Sequence, residues 1–166
     1  MDAATKEIFC RIKGVLANGP YTWESHRKAL QDAVSVFGRN SVSTHLIVGL
    51  GETEQEMIKV IQWCADKGVY PSLFAFTPVP GTALETSSQP SIKSYRRVQL
   101  ARYLIVHGKI RLDGMKFNEN GSVVDFGISK QELEAIIESG SPFYTSGCPH
   151  CNRPYYNERP GGPMYN

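Results

Sequence analysis

The chain has 166 residues, of which 41% are hydrophobic and 20% charged, with a formal net charge of +2. These values exclude a fibrous or disordered chain and fit one globular domain or slightly less. Scattered basic residues give no nucleic-acid footprint, no apolar run approaches the ~18 residues of a membrane span, and the opening DAATKEIF lacks the apolar centre of a signal peptide. Four cysteines, two of them close together, suit a reducing compartment where thiols bind metal, which makes cytoplasm the expected location.

In chain order, EIFCRIKG can form a helix whose inner face includes Ile8 and Ile12. Residues 22–37, TWESHRKALQDAVSVF, predict a helix: His26, Leu30, Ala33, Val34 and Phe37 share a face, Thr22 can cap the start and Gly38 can end it. SVSTHLIVGL (41–50) has the continuous apolar centre of a parallel strand buried on both faces. Thr53 and Glu56 then form a T-x-x-E capping box. The helix they open carries Met57, Val60, Ile61, Cys64 and Ala65 on one face and stops at Gly68.

YPSLFAFTPV (70–79) predicts a second buried strand, stopped by Pro78, Pro80 and Gly81. Ser91 opens a helix running to about Gly108. KIRLDGMKF (109–117) predicts a third strand and GSVVDFGI (121–128) a fourth, and a Ser129–Glu132 box starts a short helix. After Gly140 regularity ends in a stretch rich in Gly, Pro, Asn and Tyr.

Helices alternating with apolar strands predict βαβ units and a parallel sheet. Three or four such strands with helices on one side leave the other face open. Closed parallel barrels use eight strands. The expected fold class is therefore α/β: a partial parallel (β/α) barrel over residues 1–128, followed by a C-terminal helix and irregular cysteine-bearing tail over 129–166. A barrel of this kind is incomplete, so the chain is expected to need a missing N-terminal half or a complementary subunit.

The residues also carry a specific likeness. HLIVGLGETEQEMIKVIQWC, followed by FAFTPVPGTALE, resembles the C-terminal half of a radical S-adenosylmethionine (SAM) enzyme, nearest the biotin synthase and lipoyl synthase sulfur-insertion group. The family's G-x-I-x-G-x-x-E signature, on the fifth barrel strand, matches residues 45–52, with His45 in place of the first glycine. DAATKEIF is similar to the family's turn after the fourth strand, and TSGCPHCNRPYYNERPGGPMYN is similar to the tail of archaeal-type two-component lipoyl synthases.

The resemblance implies that Ile47 contacts the adenine of SAM and that Glu52 braces the turn formed with Gly49 and Gly51. It implies further that Thr77, Pro78 and Val79 line the same pocket, that Asp2 lies near SAM and substrate polar groups, and that Arg111 reaches a substrate or auxiliary-cluster site. Two departures stand out. Ser43 replaces a cysteine expected of biotin synthases. The C-x-x-x-C-x-x-C motif that holds the radical-generating [4Fe–4S] cluster is nowhere in the chain; it is expected before Met1, so the chain should not form the radical alone.

Gly49 and Gly51 also have a reading of their own. Ligands in parallel α/β proteins sit beyond the carboxyl ends of the strands, where glycine lets backbone approach closely and a helix N-terminus follows. The plainer alternative is a tight, well-capped connection. Cys148 and Cys151, three positions apart in CPHC, can turn both sulfurs to one metal. An auxiliary four-iron cluster is the preferred occupant and zinc the alternative; a redox pair would open a helix after a strand. Cys64 reads as a buried small hydrophobe, and His45 as a hydrogen-bonded structural or cavity-lining histidine, with a metal ligand as the alternative. The tail tyrosines suit a lid.

The expected function is sulfur insertion at an unactivated C–H position of a small-molecule or acyl-carrier substrate, with no nucleic acid or membrane involved. The alternative is a non-catalytic metal-binding or assembly module, or a truncated subunit.

Overall fold

Residues 1–144 are described in the computed structural model. In chain order they form α1 (Lys6–Ile12), α2 (Trp23–Phe37), β1 (Val42–Val48), α3 (Glu54–Lys67), β2 (Val69–Ala75), α4 (Ile92–Val106), β3 (Lys116–Phe117), β4 (Val123–Asp125) and α5 (Lys130–Glu138). Two sheets of two strands each result, giving a mixed α/β fold.

β1 and β2 are parallel and in register, Val42 opposite Val69 and Val48 opposite Ala75. Asp2 adds a single parallel bridge on the far side of β1: its amide donates to the His45 carbonyl at 2.8 Å, and its own carbonyl accepts from Ile47 at 2.7 Å. Spatial order is thus residue 2, β1, β2.

Local chemistry fixes the helix starts. Thr22 and Ser91 accept from the amides of Ser25 and Ser94. At α3 both halves of the capping box form, Thr53 serving the Glu56 amide while Glu56 serves the Thr53 amide; such a cap contributes about 1 kcal/mol. Ser129 caps α5 through the Glu132 amide, but the Glu132 carboxylate goes to Lys109 at 3.0 Å instead of closing a box.

α2, α3 and α4 pack on one face of the parallel sheet. Leu46, Val48, Leu73 and Ala75 point into a common core with Met57, Ile58, Ile61, Cys64, Val98 and Leu104, while Leu30 and Val34 of α2 rest against it. Each large apolar side chain buried this way contributes roughly 1.5–3 kcal/mol. Ile136 belongs to the same core and Leu133 packs against it, so α5 shares the hydrophobic centre of the preceding elements.

Burial along β1 and β2 alternates, although the sequence pattern predicts strands covered on both faces. Thr44, Leu46 and Val48 are buried while Ser43 and His45 are exposed and Ile47 is half-buried; Tyr70, Ser72 and Phe74 are likewise only half-buried. All three of these helices lie on one side; on the other, Ser43 and His45 are exposed, while Ile47 packs against a second, smaller cluster that includes Ile8 and Phe9 of α1, Leu50 and Phe76. There His45 and Phe74 bring their rings to 4.5 Å between centroids.

The expected third and fourth strands differ more. Residues 109–117 contain a 3₁₀ turn, Leu112–Gly114, and only Lys116–Phe117 is strand, paired antiparallel with β4. Gln62 takes the Leu112 amide at 3.0 Å, which satisfies the backbone without a ladder. The outer edge of β2 also discourages one. Phe76 donates to the Val48 carbonyl, so period-2 alternation turns Pro71 away from β1. Proline has no N–H to offer there, and Arg102 Nε occupies its carbonyl at 2.6 Å. The Arg102 guanidinium lies 4.7 Å from the Tyr70 ring centroid, and its buried Nη2 has no hydrogen-bond partner among the described residues.

Candidate functional site

The turn from β1 into α3 is held by one carboxylate. Glu52 accepts from the Gly49 amide at 2.6 Å and the Leu50 amide at 2.9 Å. Burial pushes the Glu52 carboxyl above its ordinary value, and the two amide bonds only partly offset that. The Leu50 carbonyl accepts from Arg11 Nη2 at 2.9 Å, tying α1 to the same turn.

Gly49 and Gly51 have φ of +105° and +109°, a region side-chain-bearing residues rarely adopt. A Cβ at 49 would sit 2.7 Å from Pro90 Cδ, whereas one at 51 would meet only the tip of Arg11 at 3.1 Å. Close packing by Pro90 therefore accounts for the bareness of Gly49 with no ligand needed.

Beneath the turn is a cavity of about 210 Å³ whose wall includes Val48, Gly49, Glu52, Thr53, Pro90 and Ser94. It lies on the helix-covered side of the sheet; Ile47, Thr77, Pro78 and Val79 are not in its wall. Next to it, Glu54 accepts from Arg97 Nη2 at 2.5 Å, Ser94 Oγ at 2.8 Å and the Val123 amide at 2.9 Å. Burial pushes the Glu54 carboxyl up, but Arg97 and the two other donors outweigh it and hold it below its ordinary value.

Parallel strands share their carboxyl ends, so the fold gathers Ile47, Gly49, Gly51, Glu52, Thr77, Pro78 and Val79 at one end of the sheet. Thr77 Oγ1 accepts from Gln89 at 3.1 Å, and the Val79 carbonyl accepts from Thr82 Oγ1 at 2.7 Å, which folds the 77–90 loop on itself. Asp2 joins from the neighbouring bridge. It has a φ of +69°, and Lys13 Nζ lies 2.5 Å from its Oδ2. Burial pushes the Asp2 carboxyl up, yet the Lys13 hydrogen bond, together with the nearby ammonium and His45 charges, leaves it below the usual range.

Arg111 lies elsewhere. Its guanidinium grips Asp66 at 2.8 and 3.1 Å at the far end of α3, and fourteen helical residues separate the two ends by about 21 Å. Cys148 and Cys151 lie outside the described residues. Among the described residues no group of three or more His, Cys, Asp or Glu side chains is placed to hold a metal. Cys64 is fully buried, its thiol pushed up to about 12 by desolvation, which suits packing and not ligation.

Lys13, Arg11, Pro90 and Arg97 carry no sequence signal for these contacts. Each reaches its partner across a long stretch of chain, 39 residues from Arg11 to Leu50 and 43 from Arg97 to Glu54. Only the T-x-x-E box and the Gly49–Glu52 spacing are local enough to read.

Comparison with protein-family models, curated proteins and solved structures finds no match to this chain. No helix among the described residues is long and apolar enough to cross a membrane.

Proposed function

We propose that the chain is the C-terminal portion of a radical SAM enzyme that inserts sulfur at an unactivated C–H position, in the manner of lipoyl synthases. The supporting observation is the Glu52 brace on Gly49 and Leu50 at the carboxyl end of a parallel sheet whose second face leaves Ser43 and His45 exposed. A partly exposed face is what the inner wall of a partial (β/α) barrel offers, and a missing half or complementary subunit would cover it.

On this reading SAM lies across the strand ends. Ile47 gives the adenine an apolar surface, the 77–79 segment borders it, and Asp2, kept ionised by Lys13, accepts hydrogen bonds from ligand hydroxyls. Glu52 keeps the turn rigid beneath. SAM and a reduced [4Fe–4S] cluster together would supply a carbon-centred radical able to take hydrogen from an unactivated carbon. Cys148 and Cys151 would hold an auxiliary cluster. The substrate would be a small molecule or an acyl chain on a carrier, and the setting the cytoplasm.

The test is amide NMR of the labelled full chain titrated with SAM or S-adenosylhomocysteine. Shifts centred on Ile47 to Leu50, lost in Ile47→Glu, are expected; an unperturbed strand end would remove the assignment. For the tail, anaerobic reconstitution with iron and sulfide should give cluster absorption that Cys148→Ala abolishes.

A further inference from the structure

The turn at Gly49–Glu52 has the parts of an anion site: small residues, two adjacent backbone amides and the positive end of a long helix. Those parts are already in use. Glu52 occupies the Gly49 and Leu50 amides, Thr53 Oγ1 occupies the Glu56 amide, and the Gly121 carbonyl occupies the Gln55 amide at 2.9 Å. The nearby cations are committed as well. Arg97 is matched by Glu54, and Arg11 donates to the Leu50 carbonyl.

A phosphate approaching this turn meets a carboxylate where it would need donors. Displacing Glu52 would move that charge into a partly buried space beside Glu56, at a cost that burial increases. A neutral or cationic group meets no such opposition.

We infer that Glu52 is a specificity-determining residue: by filling the turn with its own carboxylate it admits an uncharged or cationic nucleoside and rejects nucleotide phosphates. This rests on the proposed function for the nucleoside part; the rejection of anions rests on the turn itself. The sulfonium of SAM meets the requirement, whereas ADP and ATP do not.

The experiment is amide NMR on the labelled full chain, titrated separately with sulfate, ADP and SAM, for the wild type, Glu52→Ala and Glu52→Gln. In the wild type the Gly49 and Leu50 amides should ignore sulfate and ADP. Glu52→Ala frees both donors and should bind sulfate at least roughly tenfold more tightly, as expected for gaining charge-assisted hydrogen bonds. Glu52→Gln keeps one acceptor for the turn and should respond to a smaller extent; it decides the matter should the alanine variant fail to fold. Wild-type amides that move with sulfate or ADP overturn the inference, and so does a folded variant with no gain. A wild-type chain indifferent to SAM as well as ADP counts against the radical SAM assignment, while the sulfate comparison still judges the charge filter.

Discussion

Arg97 lays its Nε and Nη2 on the Glu54 carboxylate at 2.9 and 2.5 Å, joining α4 to the first turn of α3. The same carboxylate takes the Val123 amide, so it also anchors the β3–β4 hairpin. The Glu54 side chain is only 5% exposed. Removing it strands a guanidinium, a hydroxyl and a backbone amide, and breaking such a buried pair costs about 3–5 kcal/mol. Arg97 is partly solvated, so Glu54→Ala should cost nearer 2–3 kcal/mol in urea unfolding. A loss under about 1 kcal/mol would contradict the anchoring role.

The two neighbouring glutamates should give opposite pH signatures. Glu54 is depressed in the fold, so its contribution is present above the unfolded value and is lost as pH falls through the folded one. Glu52 is raised, so its contribution is present below the unfolded value and is lost as pH rises through the folded one. Glu54→Gln should flatten the decline in stability below pH 4.5, the ordinary value for both groups. Relative to wild type, Glu52→Gln should improve as pH climbs through that point. Urea melts across a pH series read both slopes; slopes of the same sign would refute the contrast.

The two turn glycines should differ in tolerance. Both have positive φ, for which a side chain costs on the order of 1–3 kcal/mol. Gly49→Ala adds a collision with the Pro90 ring, while Gly51→Ala meets only a flexible arginine tip. Thermal melts should therefore rank Gly49→Ala as the more damaging, and equal losses would mean that Pro90 gives way freely.

Native alkylation followed by peptide mapping should leave Cys64 unmodified until denaturant unfolds the chain. Its burial and a thiol value of about 12 both oppose thiolate formation. Modification under native conditions would show that α3 lifts off the core.

What the sequence made legible was local. Thr22, Thr53, Ser91 and Ser129 each cap the helix they open, because a cap is a contact three residues long. The apolar runs located β1 and β2 but misjudged their environment: Ile47 and Phe74 look like core residues in sequence yet are only half-buried, Ile47 against a small second cluster with Phe9 and Phe76 and Phe74 beside the exposed His45. Strand length after α4 was overestimated for a related reason. Periodicity cannot report that Gln62 would satisfy the Leu112 amide or that Arg111 would turn to Asp66. At the candidate site, the Gly49–Glu52 spacing was readable. The roles of Lys13 and Pro90 were not, since only the folded chain brings them near.

Pro71 and Arg102 bear on how the molecule behaves in a crowd. Unguarded strand borders invite foreign polypeptide to zip on, the first step toward fibres. Here a would-be recruit finds one donor missing and the adjoining acceptor already claimed. Arg102→Ala, by uncovering that carbonyl, should raise the chain's tendency to clump, read as increased light scattering at matched concentration, even though the substituted residue sits on a helix.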